Sequence, residues 1–159
     1  MKWRRMLSVL IMTAALLALT GGLTQARNSA VPTAPTASCT SGNVPGDINA
    51  NTVLSGDLYV TEDVYINQGA TLTLTAGSTV TMCGEYDFNV DRFAGLVIAG
   101  EAESPVVVDV ETGVTKWGHI YLGWNTALTS SLRHAVLNNG GGTDPDVGVV
   151  DVAPLGNTT

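Results

Sequence analysis

The sequence predicts an all-β protein, a short parallel β-helix of about four coils with a period of roughly 24 residues. Three observations predict it. Clear helical periodicity is absent beyond residue 26, while period-2 alternation recurs, most cleanly in Thr71-Leu72-Thr73-Leu74-Thr75 and Thr79-Val80-Thr81-Met82. Sliding the chain along itself by that period lays Leu72 over Leu96 over Ile120, and Leu74 over Ile98 over Leu122. The positions between them vary freely, as outward-facing positions on stacked strands do. Strands repeating at this spacing, without helices between them, stack as a solenoid.

Composition agrees with this and excludes other classes. A chain of 159 residues with 45% apolar content can bury a single core, and only 13% of it is charged. That excludes a disulfide-dense miniprotein, a coiled coil and a charge-rich disordered tail.

The N-terminus reads as an export signal spanning residues 1–26. Lys2, Arg4 and Arg5 precede an apolar run from Met6 to Leu19, and Thr24-Gln25-Ala26 offers small residues for cleavage. The alternative is an uncleaved anchor, for which Met6 to Leu23 is barely long enough. No stable membrane insertion is expected after cleavage, and the chain is expected to be secreted or held at the cell surface. Loss of the signal leaves four basic side chains (Arg27, Arg92, Lys116, Arg133) against 14 acids, a balance of −10. That charge repels nucleic acid and anionic lipid.

Residues 27–45 are rich in Pro, Ser, Thr and Ala and read as a linker, with the β-helix domain following over 46–159. Cys39 and Cys83 admit one intramolecular pairing in an oxidising compartment, the alternatives being free thiols or a bond between chains. A second series of strand positions runs beside the first: Val80 and Met82, then Val106 and Val108, then the segment Leu132 to Leu137. Asn138-Asn139-Gly140-Gly141-Gly142 suits a turn with positive φ, and Val147 to Val152 reads as a further strand. Solenoid ends need caps; Asp47 to Ser55 is the candidate at the N-terminal end, and none is visible at the other. End-to-end association of molecules is therefore expected.

At these residues the chain resembles the right-handed parallel β-helix proteins of bacterial envelopes, the pectate-lyase-like superfamily. The resemblance is carried by Asp63-Val64-Tyr65-Ile66, Gly69 to Leu74 and Gly77 to Val80. It continues through Leu96, Gly100, Ala102, Pro105, Val106 and Val108, and through Trp117-Gly118-His119-Ile120, covering about residues 57–142. It implies a short right-handed parallel β-helix made of the N-terminal coils of a longer solenoid. These are packing and turn residues, nearly silent on activity.

Candidate chemistry is sparse. If the chain is a polysaccharide-active enzyme, Asp87, Asp91 and Arg92 are the catalytic candidates, because paired carboxylates are the minimum for glycoside hydrolysis and a lyase needs a base nearby. Asp109 and Glu111 share a strand face and read as solvating charges. Asp144 and Asp146 are the calcium candidates, though two carboxylates fall short of the six to eight oxygens that ion takes. No other cofactor or metal is expected. His119 and His134 lack a third ligand and read as exposed decoration. Tyr121 and Trp124 are the candidate binding residues, able to stack against sugar rings, whereas Trp117 reads as a cap on the core at a coil corner, aligned with Gly69 and Phe93. A threonine array for ice binding fails, since Gly95 and Val97 and then His119 and Tyr121 interrupt it. The expected role is a non-catalytic module, structural, adhesive or in contact with polysaccharide or envelope glycan; a polysaccharide lyase or hydrolase is the alternative.

Overall fold

Alternating aliphatic side chains turn inward along short strands, and the chain changes direction three times before it returns above its starting point. A computed structural model describes residues 38–123, 130–144 and 148–152. The first coil holds β1 (Asp47–Ile48), β2 (Thr52–Leu54) and β3 (Asp57–Val60); the second holds β4 (Val64–Ile66), β5 (Thr71–Thr75) and β6 (Thr79–Met82). The third holds β7 (Phe88–Val90), β8 (Gly95–Ala99) and β9 (Val106–Val110), the fourth β10 (Ile120–Leu122), β11 (Ser131–Arg133) and β12 (Ala135–Leu137), and β13 (Val150–Val152) opens a fifth.

Every third strand pairs in parallel with its counterpart one coil away. The first sheet runs β1-β4-β7-β10-β13, the second β2-β5-β8-β11 and the third β3-β6-β9-β12. The fold is an all-β parallel solenoid, with four coils and one further strand among the described residues. Its core is a column of inward aliphatics: Leu72 and Leu74 lie under Leu96 and Ile98, and Val64 and Ile66 under Phe88 and Val90, all buried. Each such side chain contributes roughly 1.5–3 kcal/mol by leaving water.

The expected uniform period holds only between the second and third coils, and there only in the first two sheets. Ile120 and Leu122 do not stack on Leu96 and Ile98; they pair with Phe88 and Val90 in the first sheet, and Ile98 pairs with Leu132. The step from Leu74 to Ile98 is one period, whereas the step from Val90 to Leu122 is distinctly longer. The loop before β10 exceeds its predecessors, so a fixed offset lands on the wrong sheet. The second series is likewise shifted, Val80 pairing with Val108 rather than Val106. The segment Leu132 to Leu137 is not one strand but two, split at His134, whose φ of 46° turns the chain from the second sheet to the third.

At the N-terminal end, Asp47 to Ser55 already belongs to the first coil, and the covering is made by residues before it. Asn43 donates from Nδ2 to the Asp57 carbonyl at 2.9 Å and accepts the Tyr59 amide at 2.7 Å, pairing the free edge of β3. Val44 drops into the core beneath. The Cys39–Cys83 disulfide, with Cα atoms 5.4 Å apart, fastens this cover to the end of β6. Such a bond fits an oxidising, extracytoplasmic environment. Among the described residues no helix is long and apolar enough to cross a membrane.

Trp117 is fully buried at a corner, as its role of capping the core requires, and its Nε1 donates to the Asn138 carbonyl at 2.6 Å. Its neighbours are not Gly69 and Phe93 but the turn after β12: its amide donates to Asn139 and its carbonyl accepts from Gly142. Asn139, Gly141 and Gly142 all have positive φ, as the Asn-Gly run predicts. Asp109 is more than a solvating charge, since it accepts from the Asn139 side chain at 2.8 Å and from Asn138 at 3.2 Å. Those bonds, Asn139 foremost and then the Val110 amide, hold its carboxyl below the usual carboxylate range.

Candidate functional site

The three sheets differ in what they show to solvent. On the second sheet Val53, Thr73, Val97 and Ser131 form one outward row, small and uncharged. The first sheet carries a different row. Asp47, Tyr65, Asn89, Tyr121 and Asp151 pair in sequence across its five strands, so their side chains stand in one line. Strand spacing sets neighbours about 4.8 Å apart, which puts the two tyrosines about 10 Å from each other with Asn89 between them. Both are substantially exposed, Tyr65 at 48% and Tyr121 at 43%.

Beside this row the surface sinks into a groove of about 430 Å³. Tyr65 and Tyr121 stand at its two sides and Asn89 between them, and the residues just past each strand, Asn67, Asp91 and Arg92, supply its polar edge. Gly123, level with Asp91 one coil up, adds no side chain there. Asn67 is held by a bond from its Nδ2 to Asn49 Oδ1 at 2.8 Å. Asp91 turns back to accept the Arg92 amide at 2.6 Å, and the Arg92 guanidinium carbon lies 4.9 Å from the centre of the Phe93 ring. The groove thus offers two aromatic faces, two carboxamides and one opposed pair of charges. It can stack flat apolar rings and hydrogen-bond the hydroxyls around them.

The catalytic candidates are divided. Asp91 and Arg92 line the groove, but Asp87 precedes β7 at its other end, about 13 Å from Asp91 along an extended strand. Asp87 is occupied elsewhere. Its Oδ1 accepts the His119 amide at 2.6 Å and lies 3.3 Å from His119 Nδ1, while its own amide donates to Asp63 Oδ1 at 3.0 Å. His119 is therefore partly enclosed rather than an exposed decoration. Its Nε2 is buried beside Gly142, with no hydrogen-bond partner among the described residues. His134 is exposed at its corner.

Of the binding candidates, Tyr121 lies in the groove and Trp124 falls outside the described residues. Asp144 is exposed and Asp146 lies outside the described residues. Among the described residues no three His, Cys, Asp or Glu side chains gather to hold a metal ion. Sequence reasoning missed Tyr65, Asn67 and Asn89. A signal existed: Val64-Tyr65-Ile66 and Ile120-Tyr121-Leu122 are the same aliphatic-Tyr-aliphatic triplet, and the uniform offset concealed that they belong to one sheet. No family model matches this chain, and no curated protein or solved structure matches it either.

Proposed function

We propose that this is an exported, non-catalytic β-helix module of the pectate-lyase-like superfamily that holds glycan at the cell envelope on its first sheet. The observation that supports this most is the row Tyr65-Asn89-Tyr121. Two exposed aromatic rings on a rigid ladder stack the apolar faces of sugar rings, and Asn89, Asn67, Asp91 and Arg92 surround them with donors and acceptors. Because strands fix the spacing, little side-chain freedom is lost on binding. Neutral glycans suit the groove better than polyanions, since Arg92 is opposed by Asp91 and the row ends in Asp47 and Asp151.

Binding without cleavage is the favoured reading because Asp87 is engaged by the His119 amide outside the groove, leaving Asp91 without the second carboxylate that glycoside hydrolysis needs there. Electrophoresis of the full chain, exported to an oxidising compartment, through gels containing β-glucan, xylan, galactomannan or polygalacturonate tests this. Retardation in a neutral polysaccharide, lost in Tyr65→Ala and Tyr121→Ala, is expected. Unretarded migration in all four, or release of reducing ends that Asp91→Ala abolishes, would overturn the reading.

A further inference from the structure

We propose that Phe93 serves the same groove as a positioning residue beside it, holding the Arg92 guanidinium at the groove's edge; this rests on the glycan-binding reading above. Two equivalent turns join the first sheet to the second. In the second coil Ala70 donates to the Asn67 carbonyl at 2.9 Å, and in the third Ala94 donates to Asp91 at 3.1 Å. The third position of each turn has positive φ, 82° at Gly69 and 62° at Phe93. The amide of Gly69 donates to the carbonyl of Phe93 at 3.3 Å, so the two stand one above the other. Glycine adopts this conformation freely, whereas a bulky aromatic there is strained.

Core packing does not explain the strain, because the Phe93 ring is 48% exposed. The ring lies beside Arg92, whose guanidinium carbon is 4.9 Å from its centre. Arg92 in turn lines the groove. A planar guanidinium held over an aromatic face keeps its fork of donors in one orientation, ready for two adjacent sugar hydroxyls. A glycine at position 93, as at 69, would leave Arg92 a long side chain free to swing. Strain retained beside a groove is best accounted for by that restraint.

The test pairs stability with affinity. Melting temperatures and binding to cellohexaose, xylohexaose, mannohexaose and trigalacturonate are measured for the full chain, Phe93→Gly, Phe93→Leu, Phe93→Tyr, Tyr65→Ala and Tyr121→Ala. Phe93→Gly should melt a few degrees higher, since strain is relieved, yet bind about 5-fold more weakly, on the order of an exposed cation–π contact. Phe93→Leu should bind as weakly as Phe93→Gly, and Phe93→Tyr should restore the wild-type affinity. If Phe93→Gly or Phe93→Leu binds as well as wild type while Tyr65→Ala and Tyr121→Ala do not, the role of Phe93 is overturned and the groove stands. If the wild-type chain binds none of the four, both fall together.

Discussion

One carboxylate oxygen of Asp87 secures His119 on the coil above, accepting its amide at 2.6 Å and lying 3.3 Å from its Nδ1. The same arrangement begins one coil lower, where Asp63 accepts the amide of Asp87 at 3.0 Å. These acids lie just before the strands of the first sheet and extend its ladder by a side-chain rung. Both carboxylates thereby tie one coil of the platform to the next. Asp87→Ala should therefore destabilise the protein by about 1–3 kcal/mol, the penalty of a partly buried amide left without its acceptor. Asp87→Asn, which keeps the acceptor oxygen, should recover most of that in a urea titration. Equal loss in both variants would show that charge, not the acceptor, matters.

Trp117 and Gly140 make a second close fit. A Cβ at position 140 would come within 2.7 Å of the indole and 2.8 Å of Val149. Gly140→Ala should cost about 1–3 kcal/mol by overpacking. Trp117→Ala should cost about 3–5 kcal/mol, removing a fully buried ring. Chemical denaturation followed by circular dichroism measures both.

Asp109 gives a pH dependence with a definite sign. Its carboxyl is held below 3.8 by the Asn139 side chain first and the Val110 amide next. A lowered folded-state value adds stability above the unfolded value, lost as pH falls through the folded one. Asp109→Asn should thus melt below wild type at neutral pH, with the gap closing as pH falls through the folded-state value. The effect is modest, because solvent screens this carboxylate.

The Cys39–Cys83 bond closes a separation of 44 residues and holds the cover over β3. Reduction should lower stability by up to about 4 kcal/mol in the chain-entropy account. Limited proteolysis of the reduced protein should cut first near residues 40–46, exposing the pocket that Val44 fills.

Much of the architecture was legible in the sequence because packing enforces a period. The alternation through Thr71–Thr75 and Thr79–Met82 marks β5 and β6 with their observed limits, since an inward aliphatic must recur at every second residue. The coil count and the Cys39–Cys83 pairing follow from length and compartment. The stacking of Ile120 was not legible, because loop length between coils is under no packing constraint and the longer interval back to Phe88 breaks the period. The split at His134 was hidden likewise, as a single residue with positive φ leaves no compositional trace. The groove depends on that register. Tyr121 could be named as outward, but its partnership with Tyr65 and Asn89 emerges only once β4, β7 and β10 share a sheet.

The first sheet is the face proposed to meet a glycan. Amide chemical shifts of the ¹⁵N-labelled chain, followed while a neutral hexasaccharide such as cellohexaose or xylohexaose is added, test it directly. Shifts should concentrate at Tyr65, Asn67, Asn89, Asp91, Arg92 and Tyr121, with the Val53-Thr73-Val97-Ser131 row undisturbed. Shifts confined to that row or to the third sheet, or none with any neutral hexasaccharide, would contradict it.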